Sequence, residues 1–269
     1  MTRGRTAKLL TQHWDGTSLR RRPDHLIVEE PLEVHLDGHL VATTMRTPGH
    51  DFELAAGLVH GDGLLAGAAV LTCRYCANGS AVESGFNVVS VDTGGAAPVP
   101  TPRLSVSTSA CGMCGSTAIE EMQARVTPLP AGAPWSVELL ANVPGRVHPD
   151  QDLFAATGAV HAAAAFDRSG TPLVVREDIG RHNAVDKVVG RLLLDGRLPA
   201  HDLGLYISGR PGFEIVQKAW AAGFGALVGV SAPSALGVEA ARRAGLTLVG
   251  FVRGDVPVAN LYSPEVPAP

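Results

Sequence analysis

The chain has 269 residues, a mass of 27.9 kDa and a formal net charge of −4, with 45% apolar and 18% charged residues. These values are typical of a globular protein with one large domain or two smaller ones. Because no basic face dominates at a pI near 6.2, they exclude a general nucleic-acid binder. No apolar run is long enough to span a bilayer, no signal peptide is recognisable, and four cysteines are too few for a secreted disulfide scaffold. We therefore expect a cytoplasmic protein that contacts neither membrane nor nucleic acid.

The first half of the chain has the texture of a β-containing region. Residues 1–24 are predicted to be an irregular, mobile N-terminal segment. From Leu26 onward, apolar and polar residues alternate, with Asp37-Gly38 as a hairpin turn signal. A loop and a short helix follow at 47–63, with short strands at 86–91 and 103–107. These patterns predict a β-containing N-terminal region over residues 25–149.

From about residue 150, predicted strands and helices alternate, and the strands are continuously apolar. Such strands are typical of sheets that are covered on both faces, which predicts a three-layer α/β domain over residues 150–269. The first element of this domain, DLFAATGAVHAAAAF at 152–166, is predicted to be a helix. His161 would then be a packed histidine on a helix face or would contact a bound cofactor.

Polar residues follow the predicted strands of this domain, at the ends where open α/β sheets bind ligands. Arg181, Arg210 and Arg253 each follow a strand and offer a planar fork that suits phosphate oxygens. Ser208 and Gly209 precede a predicted helix N-terminus, where anions are favoured. Singly, each loop is also consistent with a helix cap beside a solvated arginine. If these loops share one edge of the sheet, together they predict a site for a phosphate-bearing ligand. His182 either joins that site or pairs with a local residue.

Two of the cysteines lie in TSACGMCGST at 108–117, as Cys111 and Cys114. The following Thr117-Ala118-Ile119-Glu120 matches a capping box, so the loop is predicted to precede a helix N-terminus, which lowers a thiol pKa. The spacing alone is consistent with a zinc knuckle, a disulfide, a redox pair or a sulfur carrier. A second pair, Cys73 and Cys76, would complete a Cys₄ zinc site, although the gap between the pairs exceeds the usual spacing. The alternative for this second pair is two free or disulfide-linked thiols without a shared site.

Seven stretches carry a resemblance to a known family. They are TPGHDFELAAGLVHGDG, SACGMCGS, TGAVHAAAAF, REDIGRHNAVDKVVG, SGRPGFEIVQKAWAAG, VSAPSALGVEAARRAGLTLVGFVRG and NLYSP. Through them the chain resembles the formate dehydrogenase accessory sulfurtransferase (FdhD) family over nearly its whole length. The resemblance implies a cytidine-deaminase-like C-terminal α/β domain with a smaller β-containing N-terminal domain.

The resemblance also implies a function. Members accept sulfane sulfur from a cysteine desulfurase as a persulfide. They pass it to the molybdenum or tungsten bis-pterin guanine dinucleotide cofactor, which is then delivered to the catalytic subunit of a formate dehydrogenase. Here Mo-bis(molybdopterin guanine dinucleotide) would be a bound substrate, and no permanently bound metal is expected. We also expect the chain to form a homodimer.

Residue by residue, Cys111 matches the cysteine that carries the persulfide and Cys114 its partner in the same loop. The segment assigned to cofactor binding corresponds to Phe251, Val252, Arg253, Gly254, Asp255 and Val256. To these we add the residues at the other strand ends, Arg181, His182, Ser208, Gly209 and Arg210. Glu177 and Asp178 are candidates to orient the arginines or to accept from a guanine edge. Cys73 and Cys76 are not part of the family pattern.

Two other functions compete with sulfur transfer. Zinc-dependent deamination requires a glutamate two residues after the histidine ligand and a later pair of cysteines. Ala163 stands two residues after His161, and no cysteine follows residue 114, so deamination is excluded. The remaining alternative is a non-catalytic, zinc-stabilised chaperone that binds the cofactor for the dehydrogenase without transferring sulfur.

Overall fold

The computed structural model describes residues 4–76, 80–100, 127–253 and 257–264. At the N-terminus, β1 (Thr6–Trp14) and β2 (Leu19–Ile27) pair antiparallel in unbroken register. The turn between them is closed by Asp15, whose carboxylate accepts hydrogen bonds from the backbone N–H groups of Thr17 and Ser18. The prediction that residues 1–24 are irregular is therefore wrong. The hairpin was missed because its strands lack the apolar alternation that a buried face imposes.

A four-stranded sheet follows, in the order β4-β3-β6-β5. Its strands are β3 (Glu30–Leu36), β4 (His39–Arg46), β5 (Thr72–Tyr75) and β6 (Val88–Asp92). The predicted hairpin at Asp37-Gly38 is confirmed, and both turn residues have positive φ, as a two-residue hairpin turn requires. The apolar residues of β3 are fully buried and pack with α1 (Asp51–Gly61) in one core cluster.

The second large sheet has six strands in the order β12-β11-β10-β9-β7-β8. They are β7 (His161–Phe166), β8 (Pro172–Asp178), β9 (Gly204–Ile207), β10 (Ala226–Gly229), β11 (Thr247–Arg253) and β12 (Val258–Ser263). Strands β8 to β11 point in one direction, whereas β7 and β12 run antiparallel to their neighbours. The predicted helix over 152–166 is wrong in its second half, since residues 161–166 form the strand β7.

Helices cover both faces of this sheet. On one face lie α4 (Arg181–Leu194), α5 (Phe213–Ala221) and α6 (Ala235–Ala244), and on the other lies α2 (Val137–Val147). A short 3₁₀ turn (His148–Asp150) and α3 (Asp152–Thr157) lead from α2 into β7. This arrangement confirms the three-layer α/β fold. Helix α2 falls within the predicted N-terminal region 25–149, but it packs on the six-stranded sheet.

The two sheets are joined where α1 crosses α4. An ideal Cβ at Gly57 would lie 1.8 Å from the carbonyl oxygen of Asp186, and one at Gly190 would lie 1.8 Å from that of Glu53. Only glycine permits backbones to approach so closely. Within the described ranges, no helix is both long and apolar enough to cross a membrane.

Candidate functional site

The carboxyl ends of β8, β9, β10 and β11 lie along one edge of the six-stranded sheet, which we call the rim. Because β7 is antiparallel, its first residue, His161, lies at the same edge, opposite Asp178. Helices α4, α5 and α6 all begin there. The prediction that Arg181, Arg210 and Arg253 share an edge is confirmed, since each follows one of these parallel strands.

A cleft of about 560 Å³ opens at the middle of the rim. Its walls come from α3 and the turn after it, from the ends of β7, β8, β9 and β10, and from Tyr206 within β9. The lining residues are Gln151, Phe154, Gly158, Ala159, Val160, His161, Ile179, Tyr206, Ser208 and Val230. Of the residues predicted from sequence to bind a cofactor, Ser208 lines this cleft directly.

One wall of the cleft is held in place by Glu177. Its carboxylate accepts hydrogen bonds of 2.8 Å from the backbone N–H groups of Leu153 and Phe154, in the first turn of α3. This carboxylate caps a six-residue helix that would otherwise be marginal. The ring of Phe154 remains 42% exposed and lines the cleft, where it offers a flat apolar surface. Glu177 therefore shapes the cleft wall and orients none of the arginines.

Asp178 is the next residue, and its side chain is fully buried. Its carboxylate accepts hydrogen bonds from Thr47 N (3.1 Å) and from Asn183 Nδ2 (2.9 Å), and it pairs with Lys187 Nζ at 2.7 Å. Burial lowers the pKa of Lys187, and the Asp178 carboxylate opposes this effect. Asp178 thus links the segment before α1 to the start of α4, so the idea that it contacts a guanine edge is wrong.

The floor of the cleft is formed by β7 and β9. The hydroxyl of Ser208 accepts a hydrogen bond from Ala162 N at 2.9 Å and lies 3.5 Å from His161 Nδ1. Burial lowers the pKa of His161, as do the nearby charges of Arg181 and His182, so its imidazole is neutral at pH 7. A cationic neighbour also disfavours a metal ion at this histidine. His161 lies on a strand, and the expectation of a packed histidine on a helix face is wrong.

Arg181 lies beside His161, which lines the cleft. An ideal Cβ at Gly209 would lie 3.6 Å from both Arg181 Cδ and His161 Nδ1, so these three residues adjoin. Arg181, Arg210 and Arg253 form no hydrogen bond or ion pair with any described residue. Arg210 and Arg253 are also exposed. Three guanidinium groups without a partner among the described residues are therefore available to an anion.

Two helix N-termini add to the positive character of the rim. Helices α4 and α5 are preceded by Gly180 and Gly212, and neither glycine supplies a side-chain acceptor for the first N–H groups. Such N-termini favour anions. His182, in the first turn of α4, pairs with Glu214 of α5 at 2.8 Å. His182 therefore links the first turns of α4 and α5, and it meets the rim as one half of a pair with Glu214.

The predicted cofactor-binding segment begins in β11, further along the rim, with Phe251, Val252 and Arg253. Arg181 adjoins Gly209, which follows β9, and β9 and β11 are two spacings apart, about 10 Å, which exceeds the length of one pyrophosphate group. Arg181 and Arg253 would therefore meet different parts of a long ligand. Phe251 is 42% exposed with a positive φ of 55°, whereas Val252 is fully buried under α2 and could offer a ligand only its backbone. Gly254, Asp255 and Val256 lie outside the described residues.

Cys111 and Cys114 also lie outside the described residues. Of the second pair, Cys73 lies on β5 and packs against the core that α1 covers. Burial raises the pKa of its thiol to about 11, which disfavours the thiolate that metal binding and nucleophilic attack require. Cys76 follows β5 with a positive φ of 70°.

The fold and its rim define an α/β protein with a cleft and three arginines at the carboxyl edge of its sheet, and comparisons with known proteins identify its family. The family model described as "FdhD/NarQ family" matches residues 27–266. The chain belongs to this family.

Named relatives and a solved structure agree with this family membership. The "Sulfur carrier protein FdhD" of Nocardia farcinica is 49% identical, over 90% of this chain and 88% of its own length. The protein of the same name from Streptomyces coelicolor is 46% identical, over 93% of this chain and 90% of its own. A crystal structure described as that of a candidate formate dehydrogenase accessory protein from Desulfotalea psychrophila superposes with a TM-score of 0.74. That structure is 25% identical, and the match covers 97% of this chain and 99% of the other.

Several residues of the cleft were missed by the sequence analysis. Phe154 lies in the stretch 152–166 and Gln151 directly before it, where the sequence predicts one continuous helix and no cleft wall. Gly158, whose φ is +66°, ends α3 and was the available signal that the helix stops there. Tyr206 was overlooked because it lies inside a buried strand, and burial raises its pKa to about 12, so its hydroxyl stays protonated as a donor.

Proposed function

We propose that this protein is a sulfur carrier for formate dehydrogenase maturation. In this role it accepts sulfane sulfur from a cysteine desulfurase on Cys111. It then passes the sulfur to the molybdenum or tungsten bis-pterin guanine dinucleotide cofactor of the dehydrogenase. The observation that carries the proposal is the family membership over residues 27–266, a span that includes Cys111 and Cys114. The relatives named as sulfur carriers support it.

Loading is a thiolate exchange. The Cys111 thiolate attacks the outer sulfur of the persulfide on the desulfurase, so a new S–S bond forms on Cys111 and the desulfurase cysteine leaves as a thiolate. No net oxidation occurs, because the sulfane sulfur only changes carrier. A cysteine loop ahead of a helix N-terminus, as the capping box predicts, would favour the attacking thiolate.

Release of the sulfur requires a second group that attacks the persulfide on Cys111. Cys114, in the same loop, is positioned in the sequence to supply it. Attack of the Cys114 thiolate on Sγ of Cys111 would form a Cys111–Cys114 disulfide and release the outer sulfur as hydrosulfide, the oxidation state that a metal ligand needs. The two cysteines are oxidised together as that sulfur is reduced. A cellular dithiol would then have to reduce the disulfide before the next cycle. On this basis the protein is a sulfurtransferase.

The rim supports the second half of the proposal, which is the binding of a guanine dinucleotide. Phe154 offers a face for stacking a planar base, and Tyr206 offers a hydroxyl donor in the same cleft. Arg181 and the starts of α4 and α5 suit a pyrophosphate. With two nucleotide arms, the ligand is long enough for its other end to approach Arg210 and Arg253.

The test of the carrier role is intact-mass spectrometry of the full chain after incubation with a cysteine desulfurase and cysteine. Wild type should gain the mass of one sulfur atom, and this gain should disappear on reduction with a thiol. Cys111→Ala should gain none, whereas Cys114→Ala should load but release sulfur slowly. Cys73→Ala is the matched control and should behave as wild type. Full support of formate dehydrogenase activity by Cys111→Ala would contradict the proposal.

The zinc-stabilised chaperone makes a different prediction. It requires thiolates at Cys73 and Cys76, and the burial of Cys73 opposes this requirement. We expect the Cys73→Ser/Cys76→Ser double variant to retain the metal content and thermal stability of wild type. Stoichiometric zinc in purified wild type, lost in the double variant, would favour the chaperone instead.

A further inference from the structure

The side chain of Ser208, at the floor of the cleft, is held in place by the backbone of the neighbouring strand. Ser208 N donates a hydrogen bond of 2.9 Å to the carbonyl oxygen of Ala162, and Ala162 N donates one of 2.9 Å to Ser208 Oγ. This reciprocal pair extends the contact between β7 and β9 by one step beyond the last ladder pair. The hydroxyl group is therefore fixed beside the ring of His161, the first residue of β7.

The same hydroxyl determines which nitrogen of His161 carries a proton. A serine hydroxyl has one hydrogen to donate and two lone pairs with which to accept. One lone pair accepts from Ala162 N, and among the described residues the acceptor within reach of the hydrogen is His161 Nδ1, at 3.5 Å. A neutral imidazole carries a single proton, so an Nδ1 that accepts leaves that proton on Nε2.

The Nε2–H group of His161 is then an uncharged donor that faces the cleft. Burial and the charge of the adjoining Arg181 lower the pKa of His161, so the ring stays neutral at pH 7. His161 lines the cleft, and its Nε2 forms no hydrogen bond with any residue that the structure describes. A donor in this position binds water or a ligand. Because it is uncharged, it suits a carbonyl oxygen better than a phosphate.

The rest of the cleft lining also favours an uncharged ring over a phosphate. With His161 neutral, none of the described residues that line the cleft carries a charge. Phe154 adds an apolar ring on which a planar base can stack. Arg181 lies beside the cleft and is not one of the described lining residues. A nucleotide would therefore place its base in the cleft and its phosphates outside, towards Arg181.

We propose that Ser208 is a positioning residue that holds His161 as an Nε2–H donor, and that this donor recognises the O6 carbonyl oxygen of a guanine base in the cleft. Adenine has an amino donor where guanine has O6. Two donors that face each other in a partly buried site remain unpaired, which disfavours adenine. This inference rests on the proposed binding of a guanine dinucleotide, and it adds the residues that distinguish guanine from adenine.

The first test is the tautomer of His161 in the free full-length protein, measured by correlating ring protons with ring nitrogens in ¹⁵N-labelled protein by NMR. Wild type should carry its proton on Nε2 at neutral pH. Ser208→Ala removes the hydroxyl and should show a fraction of the Nδ1–H tautomer, whereas Ser208→Thr keeps a hydroxyl and should match wild type. A proton on Nδ1 in wild type, or no change in Ser208→Ala, would overturn the proposal.

The second test is calorimetric titration with three nucleoside diphosphates. GDP and IDP both have O6, so wild type should bind them at least about tenfold more tightly than ADP. His161→Ala should lose this preference through weaker binding of GDP and IDP, with the affinity for ADP unchanged. His39→Ala is the matched control, because His39 is exposed at the start of β4, and it should retain the preference. Melting temperatures establish that both variants fold.

Two outcomes of the titration separate this inference from the proposed function. If Arg181→Ala weakens GDP binding but His161→Ala keeps the full preference for GDP over ADP, the nucleotide binds at the rim and the role of His161 is wrong. If wild type binds none of the three nucleotides, both the role of His161 and the proposed nucleotide site are wrong. Sulfur loading of Cys111 is measured independently by intact mass and does not depend on either result.

Discussion

Two regions of this molecule, the junction and the rim, contain charged residues that behave in opposite ways. The junction is the contact of α1, and of the segment before it, with β8 and α4. There, Asp178 and Lys187 are fully buried 2.7 Å apart, and Arg46 holds Asp51 through two hydrogen bonds of 3.1 and 3.0 Å. At the rim, Arg181, Arg210 and Arg253 pair with no described residue.

The difference shows which charges serve folding and which are left for a ligand. A buried charge must be paired and hydrogen-bonded, because the desolvation penalty is otherwise several kcal/mol. The junction meets this condition, because each of these charges faces an opposite one. The rim arginines pair with none of the residues that the structure describes, and their planar guanidinium groups suit the oxygens of a phosphate-bearing ligand. Each prediction below tests one side of this contrast.

The largest effect is expected at the buried pair of the junction. Asp178→Leu should lower the free energy of unfolding by about 3–5 kcal/mol, because it leaves Lys187 buried without its counter-charge. The double variant Asp178→Leu/Lys187→Met should regain much of this loss, since it removes the second charge as well. Urea unfolding of both variants measures the coupling. A double variant less stable than Asp178→Leu would contradict this account.

The second-largest effect is expected where α1 and α4 cross at Gly57 and Gly190. Gly190→Ala places a Cβ against the Glu53 carbonyl oxygen, so the helices must separate and the free energy of unfolding should fall by about 3 kcal/mol. Gly132→Ala is the control, because there a Cβ would meet only the end of the Arg168 side chain at 3.3 Å. Thermal unfolding of the two variants should differ clearly. Equal melting temperatures would mean that the two helices do not cross this closely.

At the rim, substitutions of arginine should change the affinity for a nucleotide and leave the stability of the fold unchanged. Arg181→Ala should weaken GDP binding by about thirtyfold, or about 2 kcal/mol, with an unchanged melting temperature. Arg253→Ala should weaken it less, because β11 lies two spacings from β9, whose end Arg181 adjoins at Gly209, and Cys111→Ala should bind normally.

The matched control for this titration is Arg197→Ala. Arg197 is an exposed arginine beyond the C-terminal end of α4, at the opposite edge of the sheet. Calorimetric titration of GDP into the four variants and wild type measures the difference. If Arg181→Ala and Arg197→Ala bind GDP equally, the nucleotide does not bind at this cleft.

The smallest expected effect is a loss of stability at low pH. Burial alone would raise the pKa of Glu53, but hydrogen bonds from Arg176 and His50 bring it from 4.5 to about 2. A carboxylate with a lowered folded pKa stabilises the protein fully above its unfolded pKa and loses this contribution as the pH falls from 4.5 toward 2. We expect a loss of about 1 kcal/mol, reduced by partial solvent screening.

The measurement is urea unfolding at about pH 6 and about pH 3. Glu53→Gln should lose less stability on acidification than wild type, by about 1 kcal/mol. Glu239→Gln, at an exposed position on α6, should lose as much as wild type. Identical acid sensitivity of wild type and Glu53→Gln would show that the pair with Arg176 contributes nothing to the junction.

The sequence predicted those parts of the fold in which local pattern and tertiary burial agree. The β3–β4 hairpin and the parallel strands of the large sheet were recovered because alternation and apolar runs report burial directly. The strand β7 was not, because its four consecutive alanines favour helix locally. Ala163 and Ala165 pack under α4 while Ala164 packs under α2, and the small side chains let both helix layers approach one central strand. Tertiary packing therefore overrode local propensity.

The sequence by itself determined the family, the two pairs of cysteines and the position of three arginines at the ends of apolar strands. Only the tertiary structure decided the roles of Glu177 and Asp178, two adjacent carboxylates that looked equally suited to a ligand. Successive residues of a strand point to opposite faces of a sheet. Glu177 therefore meets the N–H groups of α3 on one face, while Asp178 meets Thr47 and Lys187 on the other. Both carboxylates are satisfied inside the protein, because a buried charge must find its partners there.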